Sequence, residues 1–228
     1  MIIDPSQAQK VSIETKSEQV YRFLRESIIL GDFAPGERLV LAKLAEKYGV
    51  SEIPIREACK SLAAEGLVVI KPYEGITVTE IDADEVAETI EIRAILEKEA
   101  ARQTVPVIMP ATKNKLQSAL KQMEKAISEK EINSFGKINK EFHILLLQDC
   151  PNKKLRELTI QIWGSLERAR SGFRSMPEQI DKYFGINMAI FHAIEQGDSE
   201  KAGDLLYEQA KEFGSKLDKY LRSVNRHK

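Results

Sequence analysis

The sequence predicts a mainly α-helical protein, a small winged helix-turn-helix unit followed by an all-α antiparallel bundle. Three observations carry that prediction. Apolar residues recur at three- and four-residue spacing through most of the chain from Lys16 onward. Two short patterns of this kind, one ending at Tyr48 and one starting at Ser51, are joined by Gly49-Val50. Only the stretch just after them, Leu67 to Thr79, shows paired β-branched runs.

Residues 1–14 are polar and aperiodic and read as a loose tail. From Lys16 to Leu30, Val20, Phe23, Leu24 and Ile28 mark one helix face, which Gly31 ends. Leu41, Leu44, Ala45 and Tyr48 form the stripe of a second helix, and Gly49 stops it. Ser51 is a good N-cap for a third, whose stripe is Ile55, Ala58, Cys59 and Leu62. Glu52, Arg56 and Lys60 fall four apart on another face of that helix. The runs Leu67–Ile70 and Ile76–Thr79 flank a Pro72–Gly75 turn and predict a two-stranded wing. Glu80 to Asp84 is an acidic connector, and Asp82 can cap the next helix. The expected units are therefore 15–80 and 81–228.

Everything after Asp82 reads as helix. Val86, Ile90, Arg93, Ala94 and Glu97 lie along one long helix that Pro106 and Pro110 break. Leu116, Leu120, Met123 and Ile127 mark the next, and Phe135, Ile138, Phe142, Leu145 and Leu146 another. Leu155, Leu158, Ile162 and Leu166 continue to about Gly172. Met176-Pro177 opens a helix closed by Gln196-Gly197, and Asp198 or Ser199 caps the last.

Composition limits the class. The 228 residues suffice for one large or two modest domains, and 43% hydrophobic content supports real cores. The formal net charge of -1 gives no global basic bias toward nucleic acid, so DNA affinity has to rest on local patches and on dimerisation. Cys59 and Cys150 are too few for a disulfide framework and read as reduced thiols of a cytoplasmic protein. No apolar stretch approaches the ~20 residues that cross a bilayer, and no secretory signal is expected at the N-terminus.

A dense set of residues then carries a resemblance. It comprises Ala34-Pro35-Gly36 with Leu39, Leu44-Ala45, the Gly49-Val50-Ser51 turn, Pro54, Arg56-Glu57-Ala58 and Leu62, followed by Glu65-Gly66-Leu67, Gly75 and Val78. Together they resemble the winged helix-turn-helix of the GntR family of bacterial transcription regulators. The resemblance implies double-stranded DNA as partner. Arg56 is the strongest base-contacting candidate. Glu52 stands where many members carry Arg, and a carboxylate can accept from cytosine N4 instead. Ser51, Lys60, Lys71 and Tyr73 are candidate phosphate contacts, with Gly75 closing the wing. Glu74 at the wing tip occupies a position that is often basic.

Looser landmarks mark the second half: Arg93-x-x-x-Glu97, Phe142-His143 before Pro151-Asn152, and Ala193 through Asp198. They are similar to the all-helical effector-binding domain, called FCD, of the FadR-type GntR subfamily. Many of its members hold a divalent metal through an Asp and three His. The matching positions here are Asn139, His143, Asn187 and Gln209, so only His143 is retained. The resemblance thus implies a degenerate site with no resident metal, although a weakly held divalent ion stays open. His192 does not replace Asn187, because five residues are about 140° around a helix.

Three readings of this set remain open at this point: an organic ligand held directly by the amides, a partial metal site, or a self-satisfied polar network. Arg93 is the candidate for gripping an acidic effector, or else it pairs with Glu97 one turn on. Arg168, Arg170 and Arg174 are further cationic candidates, while Trp163, Phe142 and Phe191 read as core or pocket wall. The expected function is a homodimeric, ligand-responsive regulator, with repression the commoner mode in the family, acting on a palindromic operator. One rival is a helical metal-dependent enzyme, against which stands the lack of a paired-carboxylate, nucleophile-base or phosphate-loop pattern. The other is a DNA-binding protein without an effector.

Overall fold

The computed structural model describes residues 14–166 and 177–225. The chain separates into two compact units divided between Glu80 and Ile81. Apart from Glu14, the expected tail lies outside the described residues.

The first unit begins with α1, Lys16–Leu30. A reciprocal capping box fixes its start: Thr15 Oγ1 accepts from the Glu18 amide at 3.2 Å, and the Glu18 carboxylate accepts from the Thr15 amide at 2.7 Å. Gly31, at φ 79°, ends it in the left-handed conformation that glycine adopts without strain. α2 spans Leu41–Tyr48, and Gly49, at φ 64°, makes the turn into α3, Glu52–Ala64. The predicted stripe of α3 is buried in full: Ile55, Ala58, Cys59 and Leu62 pack with Leu24 and Ile28 of α1. Burial pushes the Cys59 thiol up to about 11, which makes it an inert core group. Phe23 departs from expectation. It is 49% exposed and stacks on Tyr48 with ring centroids 6.2 Å apart.

The wing pairs β2, Val68–Lys71, antiparallel with β3, Gly75–Val78. A third strand, β1 at Arg38–Leu39, adds to the other side of β3 with Arg38 opposite Thr77. Two residues are too few to show an alternation, so β1 leaves no periodic signal.

Among the described residues the second unit is entirely helical. α4 covers Ala83–Thr104, and its Asp82 cap accepts from the Asp84 and Glu85 amides at 2.8 and 3.3 Å. A 3-10 turn at Val105–Val107 leads to α5, Pro110–Ser128. Then come α6, Ile132–Leu146, and α7, Lys153–Ser165. A second 3-10 turn at Pro177–Gln179 precedes α8, Ile180–Gln196, and α9 spans Ser199–Asn225. α4 and α9 approach to backbone distance. A Cβ on Gly203 would lie 2.9 Å from the Lys98 carbonyl oxygen, and one on Gly214 would lie 2.8 Å from Ile90 Cγ2.

The stripe of α7 differs from the expected one. Leu155, Thr159 and Trp163 are buried at four-residue spacing, while Leu158 is exposed. Its expected continuation to Gly172 lies beyond the described residues, as do Arg168, Arg170, Arg174 and Met176. The main core gathers Leu116, Met123, Phe135, Phe142, Ile190 and Ile194 from α5, α6 and α8.

Candidate functional site

Two surfaces of different character carry the predicted residues. The first is the outward face of α3 with the wing. Ser51 sits at the N-cap with extended backbone, but its side chain makes no capping hydrogen bond, so the hydroxyl is uncommitted to the helix. Glu52, Arg56 and Lys60 are all exposed on α3, as the spacing predicted. Arg56 Nη2 lies 3.9 Å from Glu52 Oε2, and Lys60 Nζ donates to Glu57 Oε1 at 2.8 Å. Pairs this exposed contribute little and exchange readily with solvent or phosphate. Lys71 pairs with Glu74 at 3.2 Å at the wing end. Tyr73 is fully exposed and takes φ 65°, an unusual backbone for a side chain with a Cβ. Gly75, at φ 100°, lies so close to Arg38 that a Cβ there would approach its guanidinium to 3.3 Å. Its contribution is the bend of the wing. Spacing and charge did not single out Ile53, which stands at the centre of the α3 face and is 73% exposed.

The second surface is internal. Arg93 and Glu97 on α4, His143 on α6, Asn187 on α8 and Gln209 on α9 are all buried. Glu97 is the hub. Its Oε1 lies 2.8 Å from His143 Nδ1 and accepts from Trp163 Nε1 at 2.9 Å. Arg93 Nε faces Glu97 Oε2 at 3.5 Å, and the guanidinium stacks over Trp163 at 4.4 Å and lies 5.7 Å from the Phe213 ring. The Arg93–Glu97 pair is therefore not the weak surface pair that its i,i+4 spacing alone suggests.

Burial pulls the Arg93 pKa down, while Glu97 and Tyr183 oppose that shift. Burial alone would push the Glu97 carboxyl up. His143, Arg93 and the Trp163 hydrogen bond together outweigh it, so the carboxyl sits below its usual range.

Beside this cluster runs a chain of amides. Asn187 Nδ2 donates to Asn139 Oδ1 at 2.6 Å, and Gln209 Nε2 donates to Asn187 Oδ1 at 3.0 Å. Asn139, Asn187 and Gln209 thus meet, while His143, one turn from Asn139, turns its Nδ1 to Glu97 instead. His192 is exposed beside Gln196 and takes no part. Arg93 Nε, Glu97 Oε2 and Gln209 Oε1 are buried without a hydrogen-bond partner among the described residues. Spacing reads Trp163 as core or pocket wall; its indole N–H, donating to Glu97, also joins it to the polar cluster.

The donor set does not suit a divalent metal. The amides are engaged with one another, the imidazole faces a carboxylate, and no group of three or more His, Cys, Asp or Glu among the described residues is placed to hold an ion.

Comparison with known proteins decides the family. Residues 16–78 match the model for bacterial regulatory proteins of the gntR family, and residues 88–210 match the FCD domain. The chain belongs to the GntR family and carries an FCD domain. It is 34% identical over 141 residues to the HTH-type transcriptional regulator YdhC of Bacillus subtilis, covering 61% of this chain and 63% of that protein. To the transcriptional repressor RspR of Escherichia coli it is 34% identical over 136 residues, 59% of this chain and 60% of the relative. The chain therefore spans less than two thirds of the length of these curated relatives. The solved structure of E. coli McbR/YncC shares the fold, with TM-score 0.71 at 22% identity over 90% of this chain and 98% of that one. The matched family and the named relatives are transcription regulators rather than enzymes. No helix among the described residues is long and apolar enough to cross a membrane.

Proposed function

We propose that this GntR-family regulator works in the cytoplasm as a homodimeric repressor, whose FCD bundle binds a small metabolite and thereby alters affinity for a palindromic operator. One α3 reads only a few base pairs, so useful affinity needs two half-sites and two chains. The observation that carries the ligand reading is buried and lies around one ion pair: among the described residues Gln209 Oε1 has no hydrogen-bond partner, and Arg93 Nε and Glu97 Oε2 face each other at 3.5 Å with no hydrogen bond made by either. Buried polar groups cost stability unless something satisfies them. Arg93 offers a cation to a carboxylate; Gln209 Oε1 and Glu97 Oε2 offer acceptors to hydroxyls. A small hydroxylated acid combines both, so it is the effector class we assign. Asn139, His143 and Asn187 hold the frame around it.

A thermal-shift screen of small carboxylates and sugars, with and without divalent metals, tests this reading. Hydroxy acids should raise the melting temperature, and Arg93→Met should abolish most of their shift. Neutral sugars that shift both proteins alike would replace the acid with a neutral ligand.

For the metal, we propose that purified protein carries little tightly held divalent ion. Stoichiometric zinc by elemental analysis after dialysis would overturn that. Combining Asn139→Asp, Asn187→His and Gln209→His should create zinc binding, since these three positions already touch.

A further inference from the structure

Ile53 occupies the most outward position in the first turn of α3. Nine residues make about two and a half helical turns, so Ile53 points away from Leu62, which is fully buried. Arg56 and Glu57 lie one turn on and Lys60 two turns on, all exposed. The first turn of the second helix is the part that a helix-turn-helix inserts into the major groove. Here its centre is a β-branched hydrocarbon, flanked by the charged ends of Glu52 and Arg56.

We propose that Ile53 reads the 5-methyl group of one thymine in each operator half-site and so fixes a T·A pair there. This rests on α3 being the DNA-reading helix. Thymine alone presents an apolar group to the major groove, and aliphatic side chains contact it there. The Ile53 side chain has no hydrogen-bonding atom, so that side chain makes no donor contact with a base edge or a phosphate. Its side chain is short, which suits the position nearest the groove floor. Glu52 and Arg56 then specify neighbouring bases by hydrogen bonds, and Ile53 specifies by shape and apolar contact. Loss of one buried methyl corresponds to about a four-fold weakening.

The test uses the full chain. Selection from random duplexes defines the preferred half-site, and deoxyuridine then replaces each thymine symmetrically, which removes only the methyl. The wild-type chain should lose affinity about four-fold per half-site at one symmetric position. Ile53→Ser, which melts like the wild type because the side chain is exposed, should bind the thymine and uracil operators equally at that position. A variant that still prefers thymine there as the wild type does overturns the proposal. So does a wild-type chain indifferent to every thymine-to-uracil change, with selective DNA binding itself left standing. A chain that selects no sequence overturns the proposal together with the reading of α3. An Ile53 variant that leaves DNA selection untouched but loses binding to another protein assigns the residue to that partner instead.

Discussion

The two units keep their polar chemistry in opposite places. All eight buried polar or charged side chains among the described residues, from Arg93 to Gln209, belong to the helical unit. The winged unit fills its core with residues such as Leu24, Ile55, Cys59 and Leu62, and carries Glu52, Arg56 and Lys60 outside. The difference follows from what each must meet. A DNA reader needs groups that reach into a hydrated groove. A receptor for a small polar molecule needs groups withdrawn from water, where each contact counts for more. Substitutions should therefore separate function from stability in the winged unit and couple the two in the bundle.

The largest effect is expected at Glu97, which compensates Arg93 and accepts from Trp163. Glu97→Gln removes one charge from a buried pair and should cost about 3–5 kcal/mol of bundle stability, read by denaturant unfolding. The same residue sets a pH dependence. Its carboxyl lies below the usual range in the folded state, so its ionised form stabilises the fold at neutral pH. That contribution is full above the unfolded-state value and fades as pH falls through the lowered folded-state value. Melting followed into acid should show this loss in the wild type and a shallower one in Glu97→Gln. Equal slopes would remove Glu97 from the account.

Trp163→Phe comes next. It keeps an aromatic ring beside Arg93 but removes the donor to Glu97 together with the indole's second ring, so the about 1.5–3 kcal/mol of a hydrogen bond to a charged group is a lower bound to which a cavity cost adds. A variant as stable as the wild type would mean that the indole packs without contributing its N–H.

On the winged unit, Arg56→Ala should leave melting unchanged, because its pair with Glu52 is exposed and 3.9 Å long. Specific DNA binding should weaken by about 1–3 kcal/mol if the guanidinium grips a base. Unchanged operator affinity would take Arg56 off the reading face.

The smallest effect overall is expected at Ser51. An N-cap serine usually contributes about 1 kcal/mol through its side-chain hydrogen bond, but Ser51 makes none. Ser51→Ala should therefore barely move the melting point. A loss of DNA affinity at constant salt would assign the free hydroxyl to a phosphate.

Much of the fold was legible because it rests on local rules. The stripe Ile55, Ala58, Cys59 and Leu62, the Asp82 cap and the glycine stops at Gly31, Gly49 and Gly197 all follow from spacing and backbone freedom. Errors arose where tertiary packing chose between neighbouring candidates. Leu158 and Phe23 are apolar and at helical spacing, yet Thr159 and Leu24 face inward beside them. Thr159 can afford burial because its hydroxyl donates to the Leu155 carbonyl at 2.8 Å.

The internal site was half legible. Family positions brought Asn139, Asn187 and Gln209 to one place, and the structure joins them by hydrogen bonds. The hub role of Glu97 was hidden, because sequence spacing shows Arg93 four residues before it but not Trp163 or His143 from other helices. Ile53 went unread for another reason: charge marks a DNA-binding residue in sequence, and exposure marks this one only in three dimensions.

The central claim is that the buried polar centre of the bundle is the receptor whose occupancy is felt at the operator. It is tested most directly by measuring operator affinity of the wild type and of Gln209→Leu, each with and without a saturating hydroxy acid from the thermal-shift screen. The account predicts a change of several-fold in the wild type and none in the variant, with both proteins binding DNA equally when the acid is absent. An equal change in both proteins would place the effector elsewhere and contradict the account.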